Sequence, residues 1–257
     1  MDAGELKGIP VPPLEVPLET PPETARETLK RIYSKDQFKP VVVLFYTMLA
    51  AAVWKCTSVP LPDAETNFGL AFVLGNYKVV SAFILFAVIP MCIVKFVFHE
   101  KLADYGLRKG TLLYAFRSSL MIIPVLTVLA IFSGSNPAFS QVYPFNRAIA
   151  AVPHVSYALF AVHCVLYVGY YVGWEFLFRG FLQHGLSERC GIAAAILVQT
   201  LASVMLHYGH PPTEVFGAVF AGLFWGFLAV RTRSLSAGII QHAWLGIVLD
   251  AMLIFRR

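Results

Sequence analysis

The sequence predicts an all-α protein, a polytopic membrane bundle of about seven to eight helices with a flexible N-terminal tail. Three observations lead to it. Of 257 residues, 58% are hydrophobic and only 14% charged, against the ~25% charge of ordinary soluble domains. Mean hydropathy is +0.68. The apolar residues also come in long stretches, several near the ~20 residues that cross a hydrocarbon core.

Residues 1–38 are set apart as a tail, rich in acids and prolines and poor in apolar runs, a composition that buries too little surface to offset its ordering entropy. A short amphipathic helix is expected in it near residues 23–33. The tail lacks the basic and apolar regions of a signal peptide, so it is expected to stay uncleaved. Residues 39–153 hold the N-terminal transmembrane helices, at 41–59, 79–98 and 112–132, with Lys55 and Lys95 snorkelling near helix ends. Residues 154–257 hold a long helix from about 155 to 186 and three apolar stretches at 192–206, 215–230 and 235–255. At ~48 Å the long helix exceeds what a bilayer core needs, so it is expected to be tilted, or broken near Gly169–Gly173, which would raise seven helices to eight.

The formal charge is +5, but no Lys/Arg run is longer than two residues, which argues against a nucleic-acid partner. The basic loop HEKLADYGLRKG belongs in the cytoplasm by the positive-inside rule, which puts the N-terminus there too and leaves Arg256 and Arg257 outside, against the trend. Cys56, Cys92, Cys164 and Cys190 form no C-x-x-C pair and read as small hydrophobes. The aromatic excess, 21 Phe and 11 Tyr, reads as lipid-facing and belt material.

Glu175, Arg179, His207, Glu214, His242 and Asp250 lie within or at the ends of apolar helices, where an ionisable group costs several kcal/mol unless it is paired or wetted. Glu175 and Arg179 share a helix face at i, i+4, in the favourable order for an ion pair. A helix staple explains that pair as well as a catalytic acid does. Counted from the cytoplasmic helix ends, Glu175 lies ~16 Å, His207 ~24 Å and His242 ~12 Å deep. A carboxylate and two imidazoles from separate helices at similar depth describe a wet intramembrane site. His207 opens HYGHPPTE, where two prolines end a helix and Glu214 begins the next. Glu214 is equally a helix-dipole partner, His210 reads as an interfacial loop residue, and both are secondary site candidates. Asp250, eight residues after His242, is placed to share its cavity. His163 reads as a satisfied core group, and the Gly222/Gly226 G-x-x-x-G pair as packing.

A glutamate held by Arg179, with a histidine in reach, can activate water as general base while a second histidine meets the oxyanion. No G-x-S-x-G elbow is present, which disfavours a covalent serine nucleophile. Zinc held by His207, His210, His242 and Glu175 stays open as a second version of the hydrolysis; otherwise no cofactor is expected.

Over about residues 160–255 the chain resembles the CPBP family of CAAX-protease and bacteriocin-processing intramembrane endopeptidases, also called the abortive-infection family. Trp174-Glu175-Phe-Leu-Phe-Arg179-Gly180 resembles its Glu-Glu-x-x-x-Arg motif, in a W-E-F-x-F-R-G form that looks like a bacterial variant. Ser203-Val-Met-Leu-His207 resembles Phe-x-x-x-His, and His242-Ala-Trp-Leu-Gly246 resembles His-x-x-x-Asn. The resemblance implies a glutamate-dependent, metal-independent endopeptidase of a bacterial cytoplasmic membrane, acting on a membrane protein or lipidated peptide. Glu175 would be the base with His207, Arg179 would orient it, and His242 would be the oxyanion donor. The family's first glutamate is Trp174 here and its asparagine is Gly246; Asp250 is expected to stand in for the missing amide. The same departures also fit an inactive pseudoprotease that binds a membrane partner. A proton-coupled transporter could use such residues as a relay, but no repeated halves are evident.

Overall fold

The computed structural model describes residues 24–32, 35–108, 112–151 and 157–256. The chain divides into two compact units, Met1–Phe38 and Lys39–Arg257. In the first, helix α1 (Ala25–Ile32) is started by a capping box. Thr24 donates from its backbone N–H and hydroxyl to Glu27 Oε2 at 3.0 and 2.8 Å, and the Glu27 N–H donates to Thr24 Oγ1 at 3.3 Å. This is the short helix expected in the tail; residues 1–23 lie outside the described set.

The apolar helices are α2 (Lys35–Cys56), α3 (Phe68–Val97), α4 (Leu112–Gly134), α5 (Tyr157–Cys190), α6 (Ile192–Leu206), α7 (Pro212–Thr232) and α8 (Ser236–Phe255). Six are long and apolar enough to cross a membrane, and no strand occurs among the described residues. The protein is an integral membrane helix bundle. The exception is α6, whose 15 residues cover only ~22 Å. It therefore delivers His207 to a point inside the bundle.

Helix α3 starts about two turns before Asn76, earlier than the apolar pattern after Tyr77 implies. Asn67 caps it, its side chain accepting from the Leu70 N–H at 3.1 Å. Asn76 interrupts the pattern, but its side chain donates to the Phe72 carbonyl at 2.8 Å and the helix resumes. Lys78 Nζ donates to the carbonyls of Trp54 and Lys55, closing the C-terminal end of α2.

The expected break at Gly169–Gly173 is absent, and α5 continues from Tyr157 to Cys190. Its backbone widens instead into π-helical turns over Phe176–His184, directly after Glu175. The glycine serves packing. A Cβ on Gly173 would lie 2.9 Å from the Ala82 carbonyl oxygen and 3.3 Å from Phe83 Cα on α3. Gly173→Ala is therefore expected to cost ~1–3 kcal/mol through overpacking. Thermal unfolding in detergent checks this, and an unchanged midpoint would mean that α3 can move away freely.

The aromatic reading needs correction. Trp54, Phe86, Tyr105, Tyr167, Tyr170, Tyr171, Trp174, Phe178 and Phe181 are all buried, and they form the centre of one core drawn from helices before and after residue 153. Ring pairs such as Trp54 with Phe86 at 5.6 Å and Phe86 with Trp174 at 6.2 Å hold α2, α3 and α5 together. The outer surface does carry apolar rings, among them Phe45, Phe96 and Phe132. Gly222 and Gly226 pack α7 on α6: a Cβ on Gly222 would lie 2.8 Å from Thr200 Cγ2, and Gln199 Nε2 donates to the Gly222 carbonyl at 2.8 Å. At the far end of α8, Arg256 donates to Ser135 Oγ, just beyond α4, at 2.5 Å. A specific partner thus holds Arg256, whatever side its charge would favour; Arg257 is outside the described residues.

Candidate active site

A cavity of about 520 Å³ lies between α4, α5, α6, α7 and α8. Its walls are mostly apolar, and its polar side chains include His207, Glu214, His242, Arg179, Tyr143 and Tyr171.

His207 is the residue on which α6 ends. Its Nδ1 lies 2.8 Å from the Ser203 carbonyl oxygen. A carbonyl only accepts, so Nδ1 carries the proton and Nε2 is the basic nitrogen. That Nε2 is 3.9 Å from Glu214 Oε1. Lys55, read from sequence as a snorkelling residue, holds this helix end: Nζ donates to the Leu206 carbonyl at 2.9 Å and to the Tyr208 carbonyl at 2.8 Å.

Pro211 and Pro212 start α7 and put Glu214 in its first turn. Glu214 Oε1 accepts from the Tyr143 hydroxyl at 2.6 Å and from His210 Nδ1 at 2.9 Å, while Oε2 is buried without a partner. Burial, with the Glu214 carboxylate beside it, holds the Tyr143 phenol well above its usual pKa, so Tyr143 stays a donor. His210 is not a lining residue; it supports Glu214 from the loop.

On α8, Gly238, His242 and Gly246 recur every fourth residue and so share the face toward α5. His242 Nδ1 donates to Glu175 Oε1 at 2.9 Å, leaving Nε2 as the ring nitrogen available to a ligand. The ring is fixed between Trp225, stacked at 4.2 Å, and Tyr171 at 4.4 Å. A Cβ on Gly238 would lie 2.8 Å from Glu175 Oε2, and one on Gly246 would collide with the Tyr171 hydroxyl. The space next to Gly246 is thus filled by a hydroxyl from α5.

Glu175 and Arg179 are 1% and 2% exposed and 3.3 Å apart. Arg179 lines the cavity; Glu175 does not, and sits behind His242. The expectation that Glu175 itself meets water in the cavity is therefore corrected: Arg179 and His242 both occupy its Oε1, and α8 covers Oε2. The carboxylate that lines the cavity with the two imidazoles is Glu214. Asp250 is corrected too. It is fully buried, and its Oδ2 lies 2.8 Å from His163 Nε2. Eight residues along α8 turn it ~80° away from His242, toward α5, so it does not stand in for an amide beside His242. His163 is the core group expected of it, paired at Nε2 while its buried Nδ1 has no hydrogen-bond partner. Trp174, 3% exposed, gives the cavity an apolar wall edge-on to His207 at 5.4 Å.

The set weighed for zinc is not brought together. Among the described residues no three His, Cys, Asp or Glu side chains converge in a way that could hold a metal ion. Sequence reasoning missed Tyr143 and Tyr171, both set aside with the aromatics. The nearest signal for Tyr171 is its place one turn before Glu175.

Residues 154–248 match the family model described as type II CAAX prenyl endopeptidase Rce1-like. The resemblance to the CPBP family is shown over this segment, which contains every motif residue named above. Among curated proteins and solved structures nothing matches the chain.

Proposed function

We propose that this protein is an intramembrane endopeptidase that hydrolyses a peptide bond of a membrane-tethered protein or lipidated peptide with an activated water. The observation that carries the reading is the convergence of His207, His242 and Glu214, from three helices, on one cavity otherwise walled by apolar side chains. The Rce1-like match supports a CAAX-type protease in general terms.

Water is activated by His207, through its unprotonated Nε2, together with a glutamate. His242, as the imidazolium whose charge Glu175 holds at Nδ1, donates from Nε2 to the oxyanion, and Arg179 holds Glu175 in turn. This makes Glu175 a positioning residue. The Tyr171 hydroxyl, in the space beside Gly246, supplies a second donor where the resembled motif carries an amide. None of the four cysteines lines the cavity, which favours water over a thiol. Leu129 on α4 and Phe220 on α7 both line the cavity and are 50% and 73% exposed on the surface. That suits a substrate entering sideways from the bilayer with an acyl or prenyl chain. The N-terminus is placed in the cytoplasm of a bacterial cell on the charge of the loop after α3.

The test uses purified protein in liposomes with a tethered peptide ending in a CAAX-type sequence. His207→Ala is expected to lower the cleavage rate by at least ~100-fold with the protein still inserted. Cleavage that persists with chelators present separates this mechanism from the zinc version. A second reading, a pseudoprotease that presents a membrane partner, is favoured by the packed Trp174 at the motif's first position. An intact partner that co-purifies equally with His207→Ala, and no cleavage, would establish it.

A further inference from the structure

The proposed hydrolysis needs a carboxylate at the water, and the motif carboxylate is poorly placed for that role. Glu175 is almost fully buried, does not line the cavity, and spends Oε1 on Arg179 and His242. Glu214 differs in where it stands. It lines the cavity, its Oε1 stands 3.9 Å from the basic nitrogen of His207, and its Oε2 has no hydrogen-bond partner. A buried carboxylate oxygen without a donor is costly, and a bound water or substrate group relieves that cost. Tyr143 and His210 donate to the other oxygen and fix the rotamer.

We propose that Glu214 is the catalytic carboxylate of this site, supplied from the start of α7 in place of the motif glutamate replaced by Trp174, with Tyr143 and His210 as its positioning residues. The inference rests on the hydrolytic reading above. A water in the cavity donates one O–H to His207 Nε2 and the other to Glu214 Oε2. As the water oxygen bonds to the carbonyl carbon, its O–H bond breaks and the proton passes to Oε2. The carbonyl π pair moves onto oxygen and is met by the Nε2–H of His242, which is doubly protonated with its Nδ1–H on Glu175. When the tetrahedral intermediate collapses, the C–N bond breaks and the Glu214 proton passes to the leaving nitrogen. The products are an acid and an amine, and Glu214 is again a carboxylate. The Tyr143 donor comes from the QVYPFN loop, so residues before the family-matched segment complete the site.

The experiment uses the full chain in liposomes with the tethered peptide of the preceding test, and records unfolding temperature beside kinetics. Glu214→Gln is expected to lower kcat ~100-fold with KM within about twofold of the wild type. Glu214→Ala should recover part of the lost kcat when formate is added, a response that a purely structural carboxylate does not give. Tyr143→Phe should lower kcat by a smaller factor, ~3–10-fold, consistent with one hydrogen bond. Wild-type kcat in Glu214→Gln overturns the assignment and leaves the hydrolytic reading standing, as does a formate-insensitive loss in Glu214→Ala. A wild-type protein that leaves the peptide uncut, with His207→Ala indistinguishable from it, overturns both.

Discussion

Arg179→Met is expected to destabilise the protein by ~3–5 kcal/mol, because removing one partner of a buried ion pair leaves the other charge uncompensated. Arg179 is 2% exposed and its partner Glu175 1%, both on α5 inside the bundle. The hydrogen bond to Glu175 from His242 Nδ1 does not replace a full positive charge. The π-helical widening from Phe176 makes the site unable to relax by simple helical repacking, since the next residues of the helix are themselves buried. The double substitution Glu175→Leu with Arg179→Met should regain much of the loss, because buried ion pairs replaced together by apolar groups are often neutral or stabilising. Denaturant unfolding in a mild detergent measures both. A single Arg179→Met variant as stable as the wild type would mean that water reaches Glu175, against the burial described above.

Much of the bundle is legible in the sequence because a membrane span declares itself by length and composition alone. The two histidines that line the cavity are legible as well, His207 from the prolines after it and His242 from its lack of any turn signal. Rotation about each helix is harder to read. A periodic pattern says which residues share a face, but not which neighbour that face meets, and Asp250 is the example: ~80° of turn from His242 brings it to His163. Glu214 was visible as an acid at a helix start, a position that so often means only a dipole partner that nothing local distinguishes it. What does distinguish it is Tyr143, some 70 residues away in the chain and donating at 2.6 Å. Tyr171 was hidden by the absence of a side chain at Gly246, and a missing amide gives no hint of which residue fills its space.

Glu175→Gln is expected to lower kcat by ~10³–10⁴-fold, the scale on which an orienting carboxylate behind a catalytic imidazole acts. The Glu175 carboxylate can only accept, so it fixes the His242 proton on Nδ1 and stabilises positive charge on the ring as Nε2 meets an oxyanion. A glutamine keeps the volume but removes the negative charge that holds His242 as the imidazolium donating from both ring nitrogens. KM should change little, since Glu175 does not line the cavity where substrate binds. The same substitution decides between the two readings of the Glu175–Arg179 pair. A helix staple predicts a lower unfolding temperature but normal turnover by the protein that remains folded. An orienting carboxylate predicts the large kcat loss below the unfolding transition as well. Single-turnover cleavage measured well under that transition separates them, and turnover within a few-fold of wild type would reduce the pair to a structural ion bridge.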